Sequence, residues 1–121
     1  MTAKKPGEII HMTLITTSTV VDGKVVVLIS VDNYSRFCFG IAVEKEMAYK
    51  KVQEHIEGIL KSVEEKHPTM KPRFIMAYGK EMLPELENTF AGKASFIFNP
   101  VLADEIAMPE ARLLIDHLYK K

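Results

Sequence analysis

The sequence has a single cysteine, Cys38, and therefore cannot form an intramolecular disulfide. The absence of disulfides suits a reducing compartment, and Cys38 stands in an apolar segment, where we expect a buried, inert thiol. No segment approaches the ~20 consecutive apolar residues that a membrane-spanning helix needs. The N-terminal letters MTAKKPGE carry charge, but no apolar run typical of a signal peptide follows them. We therefore expect a cytoplasmic protein that has no membrane association.

The sequence also lacks a net charge, since 16 Lys and Arg residues balance 16 Asp and Glu residues. Affinity for nucleic acids comes mainly from Lys and Arg side chains that neutralise phosphates. DNA binding by this piece alone is therefore expected to be weak. What the sequence does contain is 47% hydrophobic residues beside 26% charged residues, which is typical of globular domains. Its 121 residues suffice for one domain with its own core.

The periodicity of apolar residues divides the chain into strands and helices. Strands are predicted at residues 9–19, 25–31, 36–43, 72–78 and 94–98. Helices are predicted at residues 46–66, at residues 80–90 and from Pro109 onward, the last with Leu113, Leu114 and Leu118 on its buried face. The segment 99–108 shows no clear period. The run VVVLISV within the second strand is apolar on both faces, which indicates a strand covered on both sides of a sheet.

This order of elements, βββ-α-β-α-β-α, predicts an α/β fold. Three antiparallel strands come first, and the alternating units that follow should add parallel strands. Residues 1–7 are interpreted as a lead-in or linker, and residues 8–121 as a single domain.

The turn between the second and third strands, Asp32-Asn33-Tyr34-Ser35-Arg36, is richer in functional groups than a hairpin requires. Asp32 is expected to accept backbone N–H bonds within the turn, as aspartates in turns commonly do. Arg36 is expected to pair with a carboxylate or with a backbone carbonyl.

Residues 6–46 resemble the start of the integrase core of retroviral integrases and related bacterial transposases. That family typically has Pro-Gly-Glu, an aromatic residue, His-Met-Asp, a turn with Gly-Lys, and a strand that ends in Asp-Asp-Phe-Ser-Arg. The equivalents here are Pro6-Gly7-Glu8, Ile10, His11-Met12-Thr13, Gly23-Lys24 and Asp32-Asn33-Tyr34-Ser35-Arg36. The resemblance implies a ribonuclease H-like fold with a five-stranded mixed sheet in the order 3-2-1-4-5 and helices packed on it. It also implies that Asp32, Tyr34, Ser35 and Arg36 form a scaffold turn rather than catalytic groups.

Integrase cores are divalent-metal-dependent polynucleotidyl transferases, and two Asp and one Glu hold their metal ions. By the resemblance, Thr13 stands at the first acid position and Ala77 at the second. The third position falls on Met108 or Glu110. A threonine hydroxyl is a weak magnesium ligand and alanine offers no oxygen, so we expect no metal site and no cofactor. The nearby acids Asp104, Glu105 and Glu110 are not expected to reach the first and fourth strands.

The resulting hypothesis is a catalytically inactive, integrase-core-like domain retained for an architectural or interaction role. The alternative is an active metal-dependent DNA recombinase or nuclease that uses Mg or Mn with displaced acids. A third interpretation is a small-molecule module whose pocket is lined by Thr13, Ala77 and Tyr78. Cores of this family usually pair through helical faces, so the resemblance also implies a homodimer.

Other polar residues have structural interpretations. His11 is expected to be packed or hydrogen-bonded, and the remaining histidines lack metal-ligand spacing. No partner base for Ser30 is recognisable from the sequence.

Overall fold

The computed structural model describes residues 2–19 and 23–119. The strands are β1 (Ile9–Thr19), β2 (Gly23–Asp32), β3 (Cys38–Glu44), β4 (Arg73–Met76) and β5 (Ser95–Phe98). The helices are α1 (Tyr49–Lys66), α2 (Leu83–Thr89), which a single 3-10 turn at Lys80–Met82 precedes, and α3 (Pro100–Tyr119). None of the helices in the described part is long and apolar enough to span a membrane.

The five strands form one sheet in the order β3-β2-β1-β4-β5, which confirms the predicted order. β1 pairs antiparallel with β2, and β2 pairs antiparallel with β3. β4 adds parallel to β1, and β5 adds parallel to β4. The doubly apolar run at 25–31 lies in β2, an interior strand with both faces covered, as its composition predicted.

Helices cover the two faces of the sheet. On one face, α1 and α2 pack on the largest core cluster, in which Ile10, Leu28 and Phe74 are fully buried. On the other face, α3 packs on β2 and β1 through Ala107 and Ala111. Alternate residues of each strand point to opposite faces, so every second residue of β1 faces α3.

The start of α3 differs from the prediction. The helix begins at Pro100 rather than at Pro109, because Asn99 caps it: the Asn99 Oδ1 accepts the Leu102 N–H at 3.1 Å, and its carbonyl accepts the Ala103 N–H at 2.9 Å. Pro109 lies inside the helix. Its missing N–H leaves the Glu105 carbonyl without a helical partner, but both residues are exposed to solvent.

The buried face of α3 was also predicted wrongly. Three alanines spaced four residues apart form it, Ala103, Ala107 and Ala111, and all three are fully buried. Leu113 is 66% exposed instead of buried, Leu114 is partly buried, and the side chain of Leu118 lies outside the described part. An alanine stripe carries little apolar signal in a sequence, although it lets a helix approach a sheet closely.

Residues 2–7 contact the turn that follows β2. The Ala3 N–H donates to Asn33 Oδ1 at 2.9 Å, and the Gly7 N–H donates to Asp32 Oδ1 at 2.8 Å. Ala3 and Gly7 are both buried. The interpretation of residues 1–7 as a linker stays a prediction, but residues 2–7 pack on the domain.

Gly7 is expected to be more sensitive to substitution than a solvent-exposed glycine with similar backbone angles. Gly7 has a φ of +83°, and a Cβ there would lie 3.3 Å from Val63 and 3.2 Å from Met70. Gly23 has a φ of +69°, but no atom lies within 4 Å of the corresponding Cβ position. A left-handed conformation costs a non-glycine residue about 1 kcal/mol, and overpacking adds about 1 kcal/mol or more. In urea unfolding, Gly7→Ala should therefore cost about 2 kcal/mol and Gly23→Ala about 1 kcal/mol. Equal losses would contradict the packing of Gly7 on α1.

Candidate functional site

Thr13 and Ala77, which the resemblance places at the first two acid positions, lie side by side, Thr13 within β1 and Ala77 directly after β4. Met12 of β1 pairs with Met76 of β4 in parallel register. The Ala77 N–H continues this ladder and donates to the Met12 carbonyl at 3.0 Å. Ala77 packs on the cluster that contains Ala103 of α3. The methyl group of Ala77 therefore lies on the α3 side of the sheet.

Asp104 contacts Thr13 directly, and the expectation that Asp104 does not reach the first strand is wrong. The Thr13 hydroxyl donates to Asp104 Oδ1 at 2.8 Å. Thr13 is buried, and Asp104 is half-buried in the second turn of α3. The reason is the earlier start of α3, which places the segment around Asp104 against β1.

Neither candidate for the third acid position forms a hydrogen bond with Thr13 in the described part of the chain. Met108 is one helical turn beyond Asp104 and lines a surface cavity with the later part of β1, around Ile15. Glu110 lies near Cys38, whose thiol pKa is raised mainly by burial and further by the Glu110 carboxylate. The carboxylate beside Thr13 is that of Asp104.

These donors are a poor set for a divalent cation. Thr13 supplies a neutral hydroxyl, Ala77 supplies no donor atom, and Asp104 supplies one carboxylate that already accepts a hydrogen bond. Magnesium prefers an octahedral set of oxygens that includes carboxylates. Among the side chains that the structure describes, no three from His, Cys, Asp or Glu cluster in a way that could hold a metal ion.

The turn after β2 uses most of its polar groups to hold its own shape. The fully buried Asp32 carboxylate accepts the Gly7 N–H, the Ser35 N–H at 2.8 Å and the Ser35 hydroxyl at 2.7 Å. The Arg36 guanidinium donates to the Asn33 carbonyl. This confirms the expectation that Arg36 pairs with a carboxylate or with a backbone carbonyl. Tyr34 has no such role and is 55% exposed.

A directional chain of hydrogen bonds links this turn to α3 through His11. His11 Nδ1 lies 2.8 Å from the Leu102 carbonyl, which can only accept, so Nδ1 carries the proton. The Nε2 atom then accepts from Asn33 Nδ2 at 2.8 Å. Burial lowers the pKa of His11, although the carbonyl contacts oppose this effect. The expectation of a hydrogen-bonded structural histidine is confirmed.

Ser30 has a basic partner that the sequence did not reveal. The Ser30 hydroxyl lies 2.7 Å from His55 Nε2, where β2 faces α1. Burial lowers the pKa of His55 from 6.5 to about 4. Ser30 is fully buried, so a substrate cannot reach its hydroxyl. This hydrogen bond links α1 to the sheet. Gly40 lies next to the imidazole, and a Cβ at this position would be 3.5 Å from His55 Cε1.

A pocket lined by Thr13, Ala77 and Tyr78 is not supported by the geometry. Four surface cavities of 440 to 580 Å³ lie elsewhere on the described part, and none of these three residues lines any of them. The Tyr78 hydroxyl is buried without a hydrogen-bond partner, and burial raises the pKa of Tyr78. Its side chain packs against the core cluster beneath α1 and α2 rather than beside Ala77.

Comparison with solved structures supports the fold. The chain is similar to one chain in the cryo-EM structure of a simian T-cell lymphotropic virus intasome in complex with PP2A regulatory subunit B56 gamma, with a TM-score of 0.67. The two are 12% identical, and the match covers 98% of this chain and 41% of that chain. No family profile and no curated protein matches the sequence. At this identity the likeness shows the fold alone, which is a mixed five-stranded sheet consistent with a ribonuclease H-like architecture.

Proposed function

We propose that this chain is an integrase-core-like domain, linked to DNA integration or transposition, that has lost its metal site and serves an architectural or interaction role. The observation that carries the proposal is the contact between Thr13 and Asp104 beside Ala77. A site built for two dications and three carboxylates retains one carboxylate there. Two metal ions about 4 Å apart repel each other strongly unless several anionic oxygens surround them.

The first test is metal-dependent stabilisation. A metal that binds only the folded protein, at 100 times its dissociation constant, stabilises it by about 2.7 kcal/mol. We expect millimolar Mn²⁺ to leave the melting temperature of the wild-type protein unchanged. The variant with both Thr13→Asp and Ala77→Asp should gain a saturable increase of roughly 10 °C that EDTA reverses. In that variant the new carboxylate at position 13 faces Asp104, so the two negative charges favour a cation between them.

Two controls sharpen this experiment. The double variant Thr16→Asp with Ala91→Asp adds the same charge at exposed positions and should show no metal-dependent shift. Adding Asp104→Asn to the first variant should weaken its response. A saturable, EDTA-reversible shift in the wild-type protein would contradict the proposal and favour an active recombinase or nuclease. No gain in the Thr13 and Ala77 variant would show that these positions are not equivalent to the family acids.

We also propose that the domain works as a homodimer. Ile41 and Val43, 38% and 44% exposed, lie on the edge strand β3, and Leu113 is exposed on α3. Ile41 and Val43 pair with Ile29 and Val27, whose side chains face α3. The side chains of Ile41 and Val43 therefore lie on the same side of the sheet as α3, which carries Leu113. Burial against a second copy would remove these three side chains from water. Light scattering should give twice the mass of 13.7 kDa, and Val43→Lys should shift the protein toward monomer. A wild-type monomer at high concentration would contradict this proposal.

A further inference from the structure

A cavity of about 540 Å³ lies beside the turn, on the α3 side of the sheet. Its buried polar floor is formed by His11 and Asn33, which are fixed by the hydrogen bonds described above. Its apolar lining includes Leu102 and Ile106 of α3, and Ala3 from the N-terminal segment. A cavity of this size is within the range of small-molecule sites, and this one is lined by polar as well as apolar side chains.

Arg36 supplies this cavity with unused hydrogen-bond donors. The guanidinium has five N–H groups, and one contact, to the Asn33 carbonyl, is seen. Arg36 has a φ of +65°, a conformation that costs an arginine energy and suits Gly or Asn better. Strained residues of this kind often belong to ligand sites.

Glu105 supplies a negative charge from the other side of the same cavity. Burial is the main cause of the lowered pKa of His11, the Arg36 charge lowers it further and the Glu105 charge raises it, so both charges lie near the imidazole. Within the described part, neither Arg36 nor Glu105 forms an ion pair. The cavity therefore presents one cation and one anion that are not in ion pairs, beside the apolar side chains of Leu102 and Ile106.

We infer that this cavity binds a small zwitterion of the α-amino acid class with an aliphatic side chain. The ligand carboxylate pairs with Arg36, whose planar guanidinium matches a carboxylate in a bidentate manner. The ligand ammonium pairs with Glu105, and the aliphatic side chain lies against Leu102 and Ile106. The exposed ring of Tyr34 forms part of the cavity wall. Tyr34 does not hold the shape of the turn, so contact with the ligand would be its role. The inference is independent of the proposed function.

Three probes test the two charges separately: L-leucine, N-acetyl-L-leucine, which lacks the ammonium group, and L-leucinamide, which lacks the carboxylate. In NMR titrations of the wild-type protein, millimolar L-leucine should produce saturable shifts of the Asn33 side-chain amide and the His11 ring. Each modified probe should bind about ten-fold more weakly or worse, because each leaves one charged protein group without its hydrogen-bonded partner.

Matched variants assign each charge to its residue. In Glu105→Gln, the protein should no longer prefer L-leucine over N-acetyl-L-leucine. In Arg36→Asn, it should no longer prefer L-leucine over L-leucinamide, and asparagine tolerates the positive φ of this position. Arg112→Gln, at an exposed position that lines a different cavity, should behave as the wild type. The inference is overturned if L-leucine gives no saturable shift, if the modified probes bind as well as L-leucine, or if Glu105→Gln keeps the wild-type preference. The comparison of probes on the wild-type protein stands even if Arg36→Asn does not fold.

Discussion

Replacing Asp32 with alanine is expected to destabilise the protein by about 4 kcal/mol or more, because hydrogen bonds to a charged group contribute roughly 1.5–3 kcal/mol each and are only partly additive. The fully buried Asp32 carboxylate accepts two backbone N–H groups, those of Gly7 and Ser35, and the Ser35 hydroxyl. In Asp32→Ala the Gly7 N–H, which lies in a buried residue, loses its acceptor. A domain of this kind has a total stability of only about 5–15 kcal/mol, so the loss is a large fraction of it.

A graded series of variants separates these contributions in urea unfolding. Ser35→Ala removes the hydroxyl that donates to Asp32 and accepts the exposed Phe37 N–H, and it should cost about 1 kcal/mol. Asp32→Asn keeps an oxygen that can accept one N–H but turns an NH₂ group toward the other donors, so its loss should lie between those of Ser35→Ala and Asp32→Ala. The melting temperature of Asp32→Ala should fall by more than about 15 °C. If Asp32→Ala lost no more stability than Ser35→Ala, the carboxylate would not be the centre of the turn.

Acidification from pH 7 to pH 4 is expected to remove roughly 3 kcal/mol of stability through His55 alone, at about 1.4 kcal/mol per pKa unit. His55 is neutral in the folded protein because burial lowers its pKa to about 4, from 6.5. A lowered pKa means that the unfolded chain binds the proton more tightly. The stabilising contribution is therefore complete above pH 6.5 and is lost progressively as the pH falls toward 4.

The variant His55→Gln isolates this effect, since glutamine does not titrate and its carbonyl can accept the Ser30 hydroxyl. The free energy of unfolding, measured across this pH range, should fall less steeply in His55→Gln than in the wild type, by roughly 3 kcal/mol in total. Ser30→Ala should keep the wild-type slope, because burial rather than the serine contact causes the shift. The same slope in His55→Gln and in the wild type would contradict the assignment.

The succession of strands and helices along the chain was largely predictable because it depends on local patterns. β-branched alternation in residues 9–19, the doubly apolar run at 25–31 and the helical stripe before His67 each define an element without help from distant residues. The strand order itself came from the family resemblance, which rested on the residues of the turn. The hydrogen bonds within the turn, from Ser35 to Asp32 and from Arg36 to Asn33, are local as well, so a sequence reader can anticipate them.

The start of α3 was not predictable by the same means. A search for large apolar side chains finds no period in residues 99–108, because the buried positions there are alanines. Pro109 then resembles a helix start, although Asn99 and Pro100 already form one. This single error displaced the predicted helix by nine residues. It also removed Asp104 from the predicted neighbourhood of Thr13.

The sequence by itself determined the α/β class of the fold and the interior position of β2, because each of these depends on residue type along a short stretch of chain. Only the tertiary structure decided which residues that are distant in the sequence come into contact. Asp104 and Thr13 are 91 residues apart, Ser30 and His55 are 25 apart, and Arg36 and Glu105 come from a turn and a helix that share one cavity. These contacts follow from how closely the helices pack on the two faces of the sheet. That closeness depends on the volumes of many side chains at once, such as the alanines under α3 and Gly40 under His55, and no local pattern in the sequence encodes it.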